Sequence, residues 1–225
     1  MSADRSAWSR DGALRRSGLF DEDALAAIDR FAAAYPESPG IRLNALPSAV
    51  WDNAPIRAAV HDLVGTGARP VRAILFDKTA SHNWPLGWHQ DRTVAVRERR
   101  DVAGFAHWTM KDGVPHAEPP FALIERMVTT RIHLDPVDAD NAPLLVALGS
   151  HRHGRIPEHA ISTIVASSEI LRCHAARGET WMYATAILHA SEPAARPRRR
   201  RVLQIDWSPD RLPGGLAWAG VMRAA

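Results

Sequence analysis

The hydrophobic pattern of the chain changes near Pro70, and this change constrains the fold more than any other feature. Six short runs rich in β-branched or aromatic residues follow: 71–76, 88–96, 127–134, 143–148, 180–188 and 201–207. Turn-forming stretches such as DPVDADNAP (135–143) and ARGE (176–179) separate them, which is typical of a sheet protein. The sequence therefore predicts a mainly β core over about 70–210.

The residues before this core have a helical pattern. Segment 21–36 is amphipathic, with acidic residues in its first turn and Pro36 at its end. Segment 54–67 reads as a second helix that ends at glycines. The N-terminal part, 1–69, is therefore predicted to be helical.

Segment 97–125 interrupts the strand pattern. It contains KDGVPHAEPP, which is too rich in Gly and Pro for a core strand. We interpret it as a long, lid-like insertion over a site. Helices followed by many strands predict one domain, 1–225, built as a β-sandwich or jelly roll with helices packed outside.

Composition favours a cytoplasmic globular protein. The chain is 46% hydrophobic and 24% charged, and it contains no apolar run of the roughly 18 to 20 residues that a membrane span needs. Its opening residues lack the apolar core of a secretory signal. Its one cysteine, Cys173, excludes an internal disulfide framework. Composition does not indicate the oligomeric state.

Basic residues are concentrated in two runs, RERR (97–100) and RPRRRR (196–201), in a chain with a net charge of +3. Such runs mark either an electrostatic footprint for a polyanion or a solvated face. No motif with the spacing of a nucleic-acid-binding module accompanies them. We therefore expect most of these arginines to be solvated, with neither a nucleic acid nor a membrane as partner.

The stretch GWHQDRTVAV (87–96) places His89 two positions before Asp91 in a run of strand-like composition. Alternate residues of a strand point to the same face, so the imidazole and the carboxylate could meet at one metal ion. Trp88 and Gln90 should then point the opposite way.

A third ligand has to be chosen among eleven histidines. His151 and His153 lie beside a turn without a nearby carboxylate, which favours a solvent-facing role. His189 ends the apolar run WMYATAILHAS and precedes a polar loop and a strand that opens with arginines. Two histidines and one carboxylate form the facial triad of non-haem Fe(II) oxygenases.

Three motifs carry a resemblance to a known family: WHQD (88–91), RIHLDPVDADNAPLLVALGSHRHGRI (131–156) and LHASEPAARPRRRRVLQIDW (188–207). The chain resembles bacterial members of the phytanoyl-CoA dioxygenase family of Fe(II)/2-oxoglutarate oxygenases, from about VRAILFDK to LPGGLAW. The resemblance implies a double-stranded β-helix, a cupin-like jelly roll. It also implies iron held by His89, Asp91 and His189, with 2-oxoglutarate and O₂ as cosubstrates.

The resemblance further implies an arginine after the distal histidine that holds the far carboxylate of 2-oxoglutarate. A guanidinium fork matches a carboxylate bidentately. Arg200, eleven positions after His189, is preferred over Arg201, although the whole run 198–201 stays open. Ser191 and Lys78 are further candidates for the same cosubstrate, with a solvated strand-end lysine as the alternative for Lys78.

Two departures from the family pattern accompany these matches. The chain has NAPL (141–144) where relatives often have NGPL, and LGSH (148–151) where they often have PGSH. Ala142 and Leu148 are expected to change loop shape near the substrate side and to leave the ligands intact.

The implied reaction oxidises a C–H bond of a small molecule and releases succinate and CO₂. A carboxylate at Asp91 favours hydroxylation or a related oxidation over halogenation, which would need a small residue there. The alternatives are a cupin-like metalloprotein that does not use 2-oxoglutarate, a zinc hydrolase, for which no HExxH motif is present, and a nucleic-acid-binding module.

The substrate is not identified by these motifs. Five residues of the insertion are candidates for contacting it: Arg97, Arg99, Arg100, His107 and Trp108. If the arginines face the site, an anionic substrate is favoured.

Overall fold

The structure, a computed structural model, describes residues 3–38, 40–83 and 85–224, and strands dominate it. The strands are β1 (Ala13–Arg16), β2 (Ile41–Leu43), β3 (Ala45–Leu46), β4 (Arg69–Lys78), β5 (Leu86–His89), β6 (Val94–Ala95), β7 (Ala106–Lys111), β8 (Val114–Glu118), β9 (Val128–His133), β10 (Leu144–Ala147), β11 (Ile170–Cys173), β12 (Thr180–Ala184), β13 (His189–Ser191), β14 (Arg200–Ser208) and β15 (Met222–Arg223). The α-helices are α1 (Ala3–Asp11), α2 (Glu22–Ala33), α3 (Ser48–Trp51), α4 (Ala54–Val64), α5 (Phe121–Glu125) and α6 (Glu158–Ser167). Short 3-10 helices cover Ala80–His82 and Ser150–His153.

Two antiparallel sheets form the centre of the fold. One has six strands in the order β1-β12-β9-β14-β4-β2, and the other has four in the order β11-β10-β13-β5. Consecutive strands pass from one sheet to the other: β4 precedes β5, β9 precedes β10, β11 precedes β12 and β13 precedes β14. Each crossing brings residues that are close in sequence onto facing sheets.

Helices cover the outer face of the six-stranded sheet, and α2 and α4 confirm the two predicted helices. The Asp21 side chain caps α2 by accepting from the backbone N–H of Ala24 at 2.8 Å, and Asn53 caps α4 in the same way. The apolar contacts between these helices and the sheet include Leu25, Ile28, Ile56, Val60, Ala73, Leu75, Leu203 and Ile205. No helix in the described residues combines the length and apolar character that a membrane span needs.

Successive side chains of a strand point to opposite sides of the sheet. The face turned away from the helices carries several charged and polar side chains. On β4, Ala73 and Leu75 pack against the helices, whereas Arg72 faces the space between the sheets. Arg131 of β9 and Gln204 of β14 lie opposite each other in register and line the same space. Charged side chains are therefore concentrated between the sheets.

The segment 97–125 contains a hairpin that the sequence did not predict. Strand β8 pairs with β7 on one side and with β6 on the other. Asp112 (φ 50°) and Gly113 (φ 74°) form the turn between β7 and β8. Two consecutive left-handed residues, the second a glycine, are what a tight hairpin turn needs. The Gly-rich composition therefore marks a turn between strands rather than a strand-free loop.

Two predicted strands are wrong in extent. The run 88–96 is divided, since β5 ends at His89 and β6 begins at Val94. The run 180–188 is also divided, since β12 ends at Ala184 and the chain turns into β13 of the other sheet at His189. Both runs have strand-like composition along their length, and composition cannot show where a strand ends or a chain changes sheets. The N-terminal part also contains β1 to β3 and is not wholly helical.

His133 illustrates a titratable group inside the fold. It lies on β9, 3% exposed, and its Nδ1 lies 3.3 Å from the carbonyl oxygen of Glu179. Burial and the neighbouring Arg131 lower the pKa of His133 to about 3. Its neutral form is therefore the stable one in the native state.

We expect His133 to make the protein less stable as the pH falls. The unfolded side chain takes up a proton near pH 6.5, while the folded one does so only near pH 3, so protonation favours unfolding between these values. From pH 6.5 to pH 5 this amounts to about 2 kcal/mol, since each pH unit is worth about 1.4 kcal/mol. Urea unfolding at pH 7 and pH 5 should show a smaller loss in His133→Gln than in the wild type. An equal loss in both proteins would contradict this prediction.

Candidate metal centre

Three side chains with metal-ligating atoms converge between the sheets. His89 ends β5, His189 begins β13, and the two residues lie opposite each other in register. Asp91 lies in the loop two residues beyond His89 rather than on a continuous strand. One ligand atom from each residue lies within 4.8 Å of the other two, and within the described residues no other group of this kind occurs. This donor set suits one divalent ion.

Backbone carbonyls fix the tautomer of both histidines. Nδ1 of His89 lies 2.8 Å from the carbonyl oxygen of Gly87, and Nδ1 of His189 lies 3.1 Å from that of Ile187. A carbonyl can only accept a hydrogen bond, so Nδ1 carries the proton in each ring. Nε2 therefore keeps the lone pair that a metal ligand needs.

The charge states of the buried ligands suit metal binding as well. Burial and the positive field of His89 lower the pKa of His189 to about 4, so the ring is neutral at physiological pH. Burial by itself would raise the pKa of Asp91, but Arg72 and the two histidines outweigh it and the pKa is lowered. Asp91 is therefore a carboxylate.

Arg72 of the six-stranded sheet orients Asp91 by a hydrogen bond to its carboxylate. Its Nη2 donates to Oδ2 of Asp91 at 3.1 Å, and its Nε donates to Asp206. Asp206 is 2% exposed and also accepts from the hydroxyl of Thr129 at 2.9 Å. A chain of hydrogen bonds from the six-stranded sheet thus fixes the carboxylate of a residue that lies on a loop.

A cavity of about 270 Å³ between the sheets contains the three candidate ligands. Six cationic residues line it: Arg42, Arg72, Lys78, Lys111, Arg131 and Arg200. Asp91 is the one carboxylate among its described lining residues. The cavity is therefore built for anionic ligands.

Arg131 and Arg200 are buried at one end of the cavity, 8% and 6% exposed. Arg131 donates to Oε1 of Gln204 at 2.6 Å, and its Nε is buried without a partner among the described residues. Arg200 donates to the carbonyl of Ala142. Among the described residues neither forms an ion pair with a carboxylate. Burial and Arg131 lower the pKa of Arg200 to about 10. Buried cations without a counter-ion are unfavourable, so this end calls for an anion.

Lys78 lies opposite Arg200 in the register of β4 and β14 and lines the same cavity. Burial, with added repulsion from Arg200 and Arg131, lowers the pKa of Lys78 to about 8. Its place in the cavity lining and its lowered pKa both favour a role in the cavity over that of a solvated strand-end lysine. Ser191 of β13 also lines the cavity.

The structure separates the arginines of the RPRRRR run. Arg200 alone among 198–201 lines the cavity with the candidate ligands. The other three form ion pairs: Arg198 with Asp138, Arg199 with Asp77, and Arg201 with Asp135. This placement favours Arg200 over Arg201 as the anion-binding residue. It also means that the run is largely neutralised and does not form an open basic patch.

Ala142 is buried just before β10 and lies next to Arg200. It has φ 49°, a left-handed conformation that glycine adopts more readily. Its carbonyl oxygen accepts the hydrogen bond from Arg200. The departure from the family pattern therefore affects the residue that holds Arg200 in place.

Gln90 points away from the ligands, as expected, and fixes the loop that carries Asp91. Its Nε2 donates to the carbonyls of Gly154 at 2.9 Å and Ala186 at 2.6 Å. Its Oε1 accepts from the backbone N–H of Ile156 at 2.9 Å. Trp88 packs on the same side with Ile156 and Leu188.

Several residues of the cavity were missed from the sequence. Arg72 and Arg131 stand at alternate positions within the apolar strands VRAILFDK and VTTRIHL, a signal that would have placed them on the inner face. The insertion contributes Lys111 to the cavity. Arg97, Arg99 and Arg100 are exposed and do not line it, so the substrate hypothesis built on them is not supported.

Solved structures of similar fold cover nearly the whole chain. AviO1 from Streptomyces viridochromogenes is 17% identical with a TM-score of 0.62, over 95% of each chain. EctD from S. alaskensis with 2-oxoglutarate and 5-hydroxyectoine is 16% identical with a TM-score of 0.62, over 92% of this chain and 76% of that one. HygX from Streptomyces hygroscopicus with nickel and 2-oxoglutarate is 16% identical with a TM-score of 0.61, over 93% and 87%. At these identities the likeness shows the fold alone.

No match to this chain is found among curated proteins. The family model described as phytanoyl-CoA dioxygenase matches residues 8–202, which is most of the chain. This match confirms the resemblance carried by the motifs at 88–91 and 188–207. Members of that family use Fe(II), 2-oxoglutarate and O₂. The chain belongs to the phytanoyl-CoA dioxygenase family of Fe(II)- and 2-oxoglutarate-dependent oxygenases.

Proposed function

We propose that the protein is a dioxygenase that hydroxylates, or otherwise oxidises, a C–H bond of a small molecule while 2-oxoglutarate is converted to succinate and CO₂. One observation carries this proposal. A candidate metal triad shares one cavity of about 270 Å³ with two buried arginines that have no carboxylate partner among the described residues. A metal ion would bind at the triad, and a dicarboxylate would supply the anion for these two arginines.

The strand order supports the finer assignment of the fold as a double-stranded β-helix. Eight strands alternate between two antiparallel sheets, with β4, β14, β9 and β12 adjacent in one and β5, β13, β10 and β11 adjacent in the other. Such an arrangement encloses a polar interior between the sheets. We place the domain over the whole chain, with the β7–β8 hairpin as its lid-like insertion, and its location in the cytoplasm.

In this proposal His89, Asp91 and His189 hold Fe(II). Two neutral imidazoles and one carboxylate leave several coordination positions open, which is the requirement for an oxygenase site. When bound, iron with 2-oxoglutarate and O₂ supplies the oxidant that takes hydrogen from a C–H bond. Arg72 acts as a positioning residue, since it fixes Asp91 through one carboxylate oxygen.

Arg200 is proposed to bind the far carboxylate of 2-oxoglutarate, with Lys78 and Ser191 beside it. Arg200 projects from β14 with its position set by the carbonyl of Ala142. Lys78 of β4 lies opposite Arg200 in the strand register, so two cations are located at the same end of the cavity. Arg131, whose Nε has no partner among the described residues, adds a third positive charge to this end. Burial between the sheets excludes water from these contacts and strengthens them.

A cupin-like protein that holds a metal without 2-oxoglutarate is the alternative. It would use the same three ligands and would have no need for buried cations beside them. The positions of Arg131 and Arg200 therefore favour the oxygenase over this alternative. A zinc hydrolase would likewise leave these arginines without a role.

Succinate formation tests the proposal directly. We expect the purified protein with Fe(II), ascorbate and 2-oxoglutarate to form succinate, and Asp91→Ala to lose at least 90% of it because one of three ligands is missing. Asp101→Ala, a change at an exposed aspartate outside the cavity, is the matched control.

Substrate-free turnover can be slow, so binding provides the second measurement. The anaerobic Fe(II) protein should develop a visible charge-transfer band when 2-oxoglutarate is added. Absence of both succinate and this band would favour the metalloprotein that does not use 2-oxoglutarate.

The choice between neighbouring arginines is also testable. Charge-assisted hydrogen bonds are worth about 1.5 to 3 kcal/mol, so Arg200→Gln should weaken 2-oxoglutarate binding by roughly 10- to 150-fold. Arg201→Gln, which removes a cation paired with Asp135, should change it by less than about threefold on the same scale. Titration of the charge-transfer band measures both values, and a stronger effect at Arg201 would reverse the assignment.

Lys78 predicts a pH dependence of the same binding step. Its pKa of about 8 means that the ammonium is charged below pH 8 and neutral above it. Since a dicarboxylate is held by the charged form, affinity for 2-oxoglutarate should fall as the pH rises above about 8. Lys78→Met should bind more weakly at pH 7 and show a flatter profile between pH 7 and pH 9. Parallel profiles for the two proteins would exclude Lys78 from the binding site.

A further inference from the structure

A second pair of cations lines the cavity away from Arg200 and Lys78. Arg42 of β2 lies opposite Ile74 in register, four residues along β4 from Lys78. At about 3.3 Å per residue this is a separation of about 13 Å along the strand. Lys111 comes from the end of β7 in the insertion hairpin. A dicarboxylate anchored at Arg200 and the metal leaves these two cations without a ligand.

Arg42 lines the cavity, and a neighbouring carboxylate holds its guanidinium in place. Its Nη1 donates to Asp112 at the tip of the hairpin. Its Nε is buried and has no hydrogen-bond partner within the described part of the chain. The Nε edge of a guanidinium is suited to binding an oxyanion through two parallel hydrogen bonds. The ion pair with Asp112 therefore orients Arg42 through Nη1 and leaves its buried Nε without a partner within the described residues.

Lys111 is placed beside Arg42 by the same turn. The turn that contains Asp112 directly follows Lys111, so the Arg42–Asp112 contact also holds the lysine at the cavity. Lys111 is half-buried and forms no ion pair among the described residues. Burial, together with Arg72 and Arg42, lowers its pKa. Its ammonium is thus close enough to both arginines for their charges to act on it.

The composition of the chain marks these positions independently. Lysine and arginine together number 28, and only two of them are lysines, Lys78 and Lys111. Both line this one cavity. The chain uses arginine at every other cationic position, including four that line the same cavity. Both of its compact ammonium groups, each with three rotatable donors, thus lie in the cavity that is proposed to bind anions.

We propose that the primary substrate carries an oxyanion, a carboxylate or a phosphate or sulfate ester, that binds between Arg42 and Lys111. This inference rests on the proposed function, because it assigns Arg200 and Lys78 to 2-oxoglutarate. A second cavity of about 400 Å³ shares Arg42 and Arg72 with the first and is also lined by Asp112, Val114 and His116 of the hairpin. Arg42 therefore lies between two spaces that a substrate larger than the first cavity could use.

Chemical modification of lysine tests the proposal, because each of the two lysines can be followed separately. The anaerobic Fe(II) protein saturated with 2-oxoglutarate is reductively methylated at increasing sulfate concentration, and methylation at each lysine is measured by mass spectrometry. Sulfate should slow methylation of Lys111 saturably, by at least fivefold. Chloride at equal ionic strength should not, and methylation of the N-terminal amine should not change.

The variant Arg42→Gln should raise the sulfate concentration needed for protection at least tenfold. Arg97→Gln, a change at an exposed arginine of the same insertion, is the matched control and should behave as the wild type. An unchanged thermal unfolding midpoint and an unchanged 2-oxoglutarate band would show that Arg42→Gln is folded. Equal protection in Arg42→Gln and the wild type would mean an adventitious ion only, and it would overturn the proposal.

Acetate and phosphate, each replacing sulfate, distinguish the two kinds of oxyanion. Protection at lower acetate concentration indicates a carboxylate, and protection at lower phosphate concentration indicates a phosphate or sulfate ester. No protection of Lys111 by any of the three anions overturns the proposal, even where the 2-oxoglutarate band is present. Absence of that band with Lys111 still protected would count against the proposed function and leave the anion site standing.

Discussion

Positive charge buried between two sheets is the constraint on which the rest of the structure depends. Arg72, Arg131 and Arg200 project from β4, β9 and β14 onto one face, where an uncompensated guanidinium costs several kcal/mol. Arg72 is compensated within the protein by Asp91 and Asp206. Within the described part of the chain, Arg131 and Arg200 have neutral acceptors only. The first arrangement holds a candidate metal ligand in place, and the second favours a bound anion.

The helices support this arrangement from the other side of the sheet. They cover the apolar face, so Leu75, Leu203 and Ile205 are buried against α2 and α4. The alternate positions of the same strands include Arg72, Gln204 and Asp206. The pairing of β4, β14 and β9 then fixes the spacing of the charged side chains through the backbone ladder. A site whose groups project from paired strands holds its geometry better than a site built on loops. Asp91 is on a loop, and it is the ligand that needs Arg72 and the hydrogen bonds of Gln90 to keep its place.

The sequence identified the candidate ligands better than the strands that carry them. His89, Asp91, His189 and Arg200 are recognisable because their residue types and spacing match a known motif. The reasoning that placed Asp91 on a continuous strand was wrong, and so was the strand that ended at His189. Residue alternation describes one strand, and it contains no information on where the chain crosses to another sheet. The error in the strands did not affect the choice of His89, Asp91 and His189. That choice used residue types and spacing, and the fold brings the three side chains together.

Arg131, Arg42 and Lys111 could not be assigned from the sequence by the same route. Each is one cation among 28, and its role depends on which strand lies next to it in space. Arg131 lies beside Gln204 only because β9 pairs with β14, and Arg42 reaches the cavity only because β2 extends the sheet beyond β4. The hairpin that carries Lys111 was not predicted because its segment is rich in glycine and proline. These residues indicate a turn and do not show which elements the turn connects. Long-range pairing therefore decides these roles.

The same electrostatics couples the binding of cations and anions in the cavity. Asp91 lies within reach of the charges of Arg72 and Lys111, so a divalent cation at the triad would replace part of its attraction to Arg72. A cation added there strengthens the binding of anions at both Arg200 and Arg42. Coupling between sites is reciprocal, so an anion at either end also strengthens metal binding. A cavity with six cations and one carboxylate can hold its full set of ligands only when the charges of those ligands alternate, with metal and anions each stabilising the other.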